Sequence, residues 1–300
     1  MFILFPKNKV SEVQRKQMTT FQASNVTNIS VKGNFDDCQK LVKDLFNRNS
    51  KSLEYNFAAI NSINWVRILG QIIYYFWSYL KVEKNMIPIN YVVPTGNFGN
   101  VYAGFISKRM GLPIKKLIVC SNKNDILTRF FSNGVMKKKV ARESLSPSMD
   151  IQVSSNFERL LFQIYDNNSE KIIEIMEDIK NNEFNLDDIA LKKIQKDFLS
   201  ESLNEKEILD IIKKVYKNYK VVIDPHTAIG VGAVKKMKKK NFVVLATAHP
   251  CKFPNAIFKS IEKKVDLPNH LKGILNQKEE YEVFQNDLES LKSYIKDNCK

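Results

Sequence analysis

Apolar and polar positions alternate with two different periods along these 300 residues. Short runs rich in β-branched and aromatic residues, at 2–5, 26–31, 91–93, 117–120, 221–223 and 243–246, read as strands. Several are apolar throughout, as expected when both faces of a sheet are covered. Between them, apolar residues recur every three to four positions near 11–19, 35–48, 62–80, 99–110, 124–133, 156–166, 168–181, 206–218, 227–238 and 280–297, which predicts helices. Strands alternating with helices predict an α/β fold with open parallel sheets, because parallel neighbours need a crossover between them. The apolar stretch 68–80 contains Gly70, Gln71 and Ser78, falls short of a membrane span and reads as a buried helix. The polar residues 81–85 suggest a domain boundary near 75–88. The run at 2–5 begins without a preceding cap, turn or polar segment, and from this an upstream portion of the domain is expected.

Composition changes this picture little. Lys and Arg number 47 against 32 acidic residues, a net charge of +15. Only Arg15, Arg48, Arg67, Arg109, Arg129, Arg142 and Arg159 are arginine, and the many lysines are spread through helices among Asn and Ile. Readers of nucleic acid lean on the bidentate arginine fork, so this charge predicts no nucleic-acid partner. It does suit an anionic small molecule. The dense run 235–240 reads as a solvated helix end, where cations complement the dipole. Cys38, Cys120, Cys251 and Cys299 form no CxxC pair and share no spacing with the three His residues. That predicts neither zinc nor disulfides and fits a reducing cytoplasm.

Thr95-Gly96-Asn97-Phe98-Gly99-Asn100 follows a strand and opens a helix. Glycines let backbone approach a ligand, and a helix start offers free N–H groups at the positive end of its dipole, so this turn is a candidate phosphate cradle. It is neither a dinucleotide fingerprint nor a P-loop. Thr247, in Ala246-Thr247-Ala248-His249-Pro250, stands at the carboxyl end of another strand, where a hydroxyl meets a ligand or caps a helix. His249 reads as structural. Ser62, Asn64 and Arg67 cluster at the start of the apolar helix, where an anion is welcome, and Arg67 entering that helix is expected to need a partner. Ser146 to Asp150 and Ser154 to Arg159 form a second polar cluster, in which Ser155 or Asn156 reads as an N-cap. Asp224 reads as the cap of a helix beginning at Pro225, with no chemistry assigned to it.

The segments VSEVQRKQMTT (10–20), GNFDDCQ (33–39), NSINWVR (61–67), VPTGNFGN (93–100), NKNDILTRFF (122–131), LSPSMDIQVSSNFERLLF (145–162), DPHTAIGVGA (224–233) and TAHPCKFPNAI (247–257) closely resemble the threonine synthase family. They occur in family order from residue 2 to about 270. The resemblance implies two open parallel-sheet domains of the tryptophan-synthase-β kind (fold type II of the pyridoxal-phosphate enzymes), the first of them incomplete. Residues 1–80 would be the remainder of the small cofactor-cleft domain, and 81–300 the large cofactor-binding domain with a helical C-terminal tail. The implied reaction is that of a lyase: O-phosphohomoserine and water become L-threonine and phosphate. Gly96, Asn97, Phe98, Gly99 and Asn100 would hold the phosphate of pyridoxal 5'-phosphate, and Thr247 would face its ring nitrogen. Ser62, Asn64 and Arg67, with Ser155, Asn156 and Arg159, are candidates for the substrate. No membrane partner is implied.

In that family a Schiff-base lysine in an aromatic-Lys-Asp setting, followed by Ser-Gly-Asp-Thr-Gly, precedes the segment matching residue 2. Neither pattern occurs here, so no catalytic residue is assigned and the 300-residue chain is expected to be inactive alone. The alternative is a catalytically dead homologue that keeps the cradle as a ligand-binding or regulatory module.

Overall fold

The computed structural model describes residues 1–49, 57–181, 183–237 and 241–299. In chain order the elements are β1 (Phe2–Pro6), α1 (Glu12–Thr19), β2 (Thr27–Val31), α2 (Phe35–Asn49), α3 (Trp65–Val82), β3 (Ile89–Pro94), α4 (Gly99–Arg109), β4 (Ile114–Ser121), α5 (Ile126–Asn133) and β5 (Val135–Lys137). They continue with α6 (Phe157–Ile164), α7 (Ser169–Lys180), β6 (Glu183–Asn185), α8 (Asp188–Asp197), β7 (Phe198–Ser202), α9 (Glu205–Tyr219), α10 (Pro225–Met237), β8 (Phe242–Val244), α11 (Pro254–Ile261), β9 (Glu282–Phe284) and α12 (Leu288–Asn298). No helix among the described residues is long and apolar enough to cross a membrane.

The chain forms two compact units, Met1–Ala58 with Asp266–Lys300, and Ala59–Val265. In the first, β1, β2 and β9 make a parallel sheet in that order. Its core joins Ile29 and Val31 of β2, Cys38, Leu41 and Leu45 of α2, and Leu291 and Ile295 of α12. The segment leading into β9 is also tied to α1 by the Arg15 guanidinium, whose Nε donates to both Glu279 oxygens at 3.0–3.1 Å.

In the second unit β7, β4, β3 and β8 make a parallel sheet in that order, and β5 and β6 pair antiparallel as a separate ribbon. Successive side chains leave opposite faces of a strand, so each central strand serves two cores. Tyr91, Val93, Leu117 and Val119 enter the core built with α3 to α8, while Val92, Ile118 and Cys120 enter the one built with α9, α10 and α11. This is why β3 and β4 read as unbroken apolar runs. A Cβ on Gly104 of α4 would stand 2.7 Å from the Tyr75 ring and from Leu117, so only glycine lets α4 settle between α3 and β4.

The observed division of the chain differs from one at residue 80. Helix α3 buries Ile68, Ile72, Tyr75 and Tyr79 in the core of the second unit and therefore belongs to it. The tail after Asp266 supplies β9 and α12 to the first unit's sheet and core. Nor is α3 buried all round: Leu69, Ile73, Trp77 and Leu80 are exposed, because a single face meets the core. The expected strand at 221–223 forms no ladder; Val222 and Ile223 pack on the second unit's core as irregular chain leading into α10. Strand β7 (Phe-Leu-Ser-Glu-Ser) and helices α8 and α11 were not expected. As an edge strand bonded only to β4, β7 carries polar residues and gives a weak apolar signal. The pattern at 280–297 splits into β9 and α12. Of the lysine-rich run, 235–237 end α10, and Lys238, Lys239 and Lys240 lie outside the described residues.

Candidate functional site

Strand β3 delivers the glycine-rich turn to the carboxyl edge of the parallel sheet, beside the end of β8, where Leu245 N–H donates to the Val92 carbonyl at 3.0 Å. The turn leaves the strand abruptly. Thr95 N–H donates to the Cys120 carbonyl at 2.9 Å, and its hydroxyl turns back to the Val93 carbonyl at 2.6 Å. A Cβ on Gly96 would lie 2.3 Å from the Ser148 carbonyl oxygen, a contact no side chain survives without backbone movement. Phe98 adopts the left-handed region at φ 62°, which costs about 1 kcal/mol for a residue with a Cβ. Its buried ring offsets that cost, stacking on Phe131 at 5.9 Å and meeting the edge of Phe157 at 5.4 Å. Helix α4 then starts at Gly99 with no side chain capping it.

The consequence is a row of unused donors. Among the described residues no acceptor takes the backbone N–H of Gly96, Asn97, Phe98, Gly99 or Asn100. They border a hollow of about 150 Å³ lined also by Ser62, Gln71, Pro94 and Thr95. None of these residues is charged, and the positive end of the α4 dipole adds to the attraction for an anion.

A second segment fixes the turn from behind. Ser154 Oγ donates to the Gly96 carbonyl at 2.7 Å, and Asn156 Nδ2 donates to the Asn97 carbonyl at 3.0 Å and to the Ser62 carbonyl at 2.8 Å. In a trans peptide the C=O and N–H point opposite ways. Drawing these two carbonyls toward residues 154–156 therefore turns the N–H groups of Asn97 and Phe98 to the other side. Asn156 is fully buried (0% exposed) and is itself held by Arg159, whose Nε donates to its Oδ1 at 3.2 Å. The Arg159 Nη2 donates to the Ile63 carbonyl at 2.9 Å, and its guanidinium lies 5.7 Å from the Trp65 ring. Asn100 Oδ1 accepts from the Tyr74 and Tyr75 hydroxyls, so its amide is anchored to α3. Burial pushes both phenols up, which keeps them as donors.

The residues picked out in the sequence thus separate into groups. Gly96 to Asn100, Ser62, Asn156 and Arg159 come together, and Ser155 joins them through a 3.4 Å hydroxyl contact with Ser62. Asn156 precedes α6 but makes no capping bond, because its amide braces the turn. Asn64 is the N-cap of α3, accepting from Val66 N–H at 2.8 Å. Arg67 is exposed and makes no side-chain bond among the described residues, so the partner expected for it is not needed: water solvates the charge. Ser146 and Asp150 belong to a separate knot around Asn122, which donates to them at 2.9 and 2.8 Å.

Thr247 does not line the hollow. It is exposed, and its N–H donates to the Thr227 hydroxyl at 3.4 Å, which in turn donates to Asp224. Asp224, 1% exposed, also accepts from the N–H of His226 at 2.9 Å and stands 3.0 Å from its Nδ1. Burial drives the Asp224 carboxyl up, and the bonds from His226 and Thr227 more than offset this, leaving it below the usual range. The His226 ring lies 4.8 Å from Phe253, with a buried Nε2 that finds no partner among the described residues. His249 is exposed, and its Nδ1 accepts from Cys251 N–H at 3.3 Å. Gln71, read in the sequence as a polar interruption of an apolar helix, and Ser154, read as a member of the second polar cluster, were not assigned to the site there.

The family model described as threonine synthase, C-terminal, matches residues 227–295. Threonine synthase of Pseudomonas aeruginosa is 41% identical over 98% of this chain, which spans 64% of that protein. Among solved structures, the pyridoxal-phosphate-bound threonine synthase of Brucella melitensis superposes with a TM-score of 0.92 at 39% identity, covering 99% of this chain and 65% of that one. Yeast threonine synthase superposes at 0.87 with 36% identity, over 99% and 64%. The chain therefore spans a little under two thirds of the length of these relatives.

Proposed function

For a chain that is a relative of the threonine synthases in sequence and in fold, we propose the role of their pyridoxal-5'-phosphate-binding portion, in a lyase that converts O-phosphohomoserine and water to L-threonine and phosphate. The observation that supports this reading is the uncapped start of α4, where five residues with unpartnered backbone N–H groups line a hollow that glycine keeps open. When bound, the cofactor supplies an electron sink for carbanions formed on the amino acid. The chain supplies the rest. Gly96 to Asn100 hold the phosphate through backbone donors, and Asn156 and Ser154 keep those donors aimed. Thr247, on the same sheet edge, presents its hydroxyl to the ring nitrogen, with its backbone held through Thr227 by Asp224. Ser62 and the exposed Arg67, with Ser155 and Arg159 behind them, receive the phosphate of the substrate. A cytoplasmic setting belongs to this reading and is supported by four unpaired cysteines.

Binding separates this proposal from others. The purified chain is expected to bind pyridoxal 5'-phosphate at least about tenfold more tightly than pyridoxal, by absorbance titration, because only the former reaches the cradle. Equal affinities would overturn it. A second reading, a ligand-binding or regulatory module without turnover, takes the same cradle as its site. Binding without borohydride-stable attachment and without threonine formation from the chain alone supports inactivity of this polypeptide. Threonine formation would refute it.

A further inference from the structure

Helix α3 approaches the cradle with one polar side chain. Gln71 lines the hollow together with Gly96 to Asn100, and its Oε1 lies 3.4 Å from where a Cβ on Gly99 would stand. That oxygen is buried and has no hydrogen-bond partner. One turn further along α3, Tyr74 and Tyr75 hold Asn100, so the helix is locked against α4 and Gln71 has little freedom to leave.

A buried amide oxygen without a donor is destabilising, and such a group in a native structure calls for a partner that uses it. The surroundings are rich in donors and contain no charged lining residue. An anion held there by neutral N–H groups alone would be repelled by the Gln71 oxygen and welcomed by the other end of the same amide. The carboxamide carries an acceptor and two N–H donors on a planar group, and a half-turn exchanges them without disturbing its packing. We propose that Gln71 is a further ligand of the phosphate group that enters the cradle, its Nε2 donating to a phosphate oxygen. This rests on the cradle being an anion site, and it adds a contact from α3, the helix whose first turn carries Arg67.

The test uses the 300-residue chain and its Gln71→Glu and Gln71→Met variants, each checked by circular dichroism and thermal melting. Pyridoxal 5'-phosphate, pyridoxal and inorganic phosphate serve as titrants, with the ³¹P shift of bound phosphate as a second readout. Gln71→Glu, isosteric but anionic, should weaken both phosphate-bearing ligands at least about tenfold, move the ³¹P resonance and leave pyridoxal unchanged. Gln71→Met, which keeps volume and loses the donors, should weaken them about threefold to tenfold. Unchanged phosphate affinity in both variants, with the wild type still preferring the phosphorylated ligand, overturns the role of Gln71 and leaves the cradle standing. Equal losses for pyridoxal and its phosphate also overturn it, since they mark general damage. A wild type that binds no phosphate-bearing ligand removes the cradle reading and this inference with it.

Discussion

Two helix starts in the second unit solve the same problem in opposite ways. Every α-helix begins with N–H groups that lack intrahelical partners. At α10 the chain answers with its own carboxylate: Asp224 accepts from the N–H groups of His226 and Thr227 and from the Thr227 hydroxyl, and the end is closed. At α4 the residue before the helix is Phe98, which offers no acceptor, and the donors stay open beside a hollow. The dipoles are alike, so what separates an open helix start from a structural cap is whether the protein places its own anion there. The backbone differs accordingly. Asp224 sits in a buried polar cluster, whereas Phe98 is held at positive φ by aromatic packing and by Asn156 and Ser154 gripping the carbonyls behind it.

Closing the open end is the sharpest way to break the contrast. Gly96→Ala places a methyl group against the Ser148 carbonyl, and the turn must move. Affinity for pyridoxal 5'-phosphate is expected to fall at least about a hundredfold by titration, equivalent to about 2.7 kcal/mol. Fold stability should change by less than that, because the strain is relieved by distorting the cradle.

Opening the closed end should instead act on stability. Asp224→Ala leaves the His226 and Thr227 donors buried without an acceptor and is expected to destabilise by about 2–3 kcal/mol in urea unfolding. The pH dependence follows from the lowered carboxyl. A group more acidic in the folded state contributes its full stabilisation above the ordinary carboxylate range and loses it as pH falls through the folded value. The advantage of wild type over Asp224→Asn should therefore hold from pH 7 to about pH 5 and shrink below about pH 4. A gap that stayed constant down to pH 3 would show that the ionised Asp224 contributes nothing specific.

The smallest effect is expected at Arg67. Its side chain, exposed and unpaired among the described residues, predicts a stability change within about 0.5 kcal/mol for Arg67→Ala and unchanged affinity for the cofactor. In an enzyme carrying the complete family sequence the same variant should raise the KM for O-phosphohomoserine while sparing the fold. An unchanged KM would remove Arg67 from the substrate site.

Much of this was legible along the chain. Short β-branched and aromatic runs located β1 to β4 and β8, and the 3.6-residue period located most of the helices. The glycine-rich turn between β3 and α4 was legible too, since it is a local feature. Asp224 and Pro225 likewise announced the start of α10. Elements whose partners lie elsewhere in the chain were not legible. Strand β7 is half polar and exists because β4 offers it a ladder. Strand β9 has three residues and forms because β2 is beside it, more than 250 positions away in sequence.

The sequence by itself therefore determined the fold class, the glycine-rich turn between β3 and α4 and the family likeness, all of which rest on local periodicity or short contiguous blocks. Tertiary structure alone decided that Asn156 braces the turn and caps nothing, that Arg67 is solvated, that Gln71 lines the hollow, and that the tail after Asp266 joins the first unit. Each of these depends on contacts between segments distant in the chain, and neither propensity nor period carries information about which distant group will arrive.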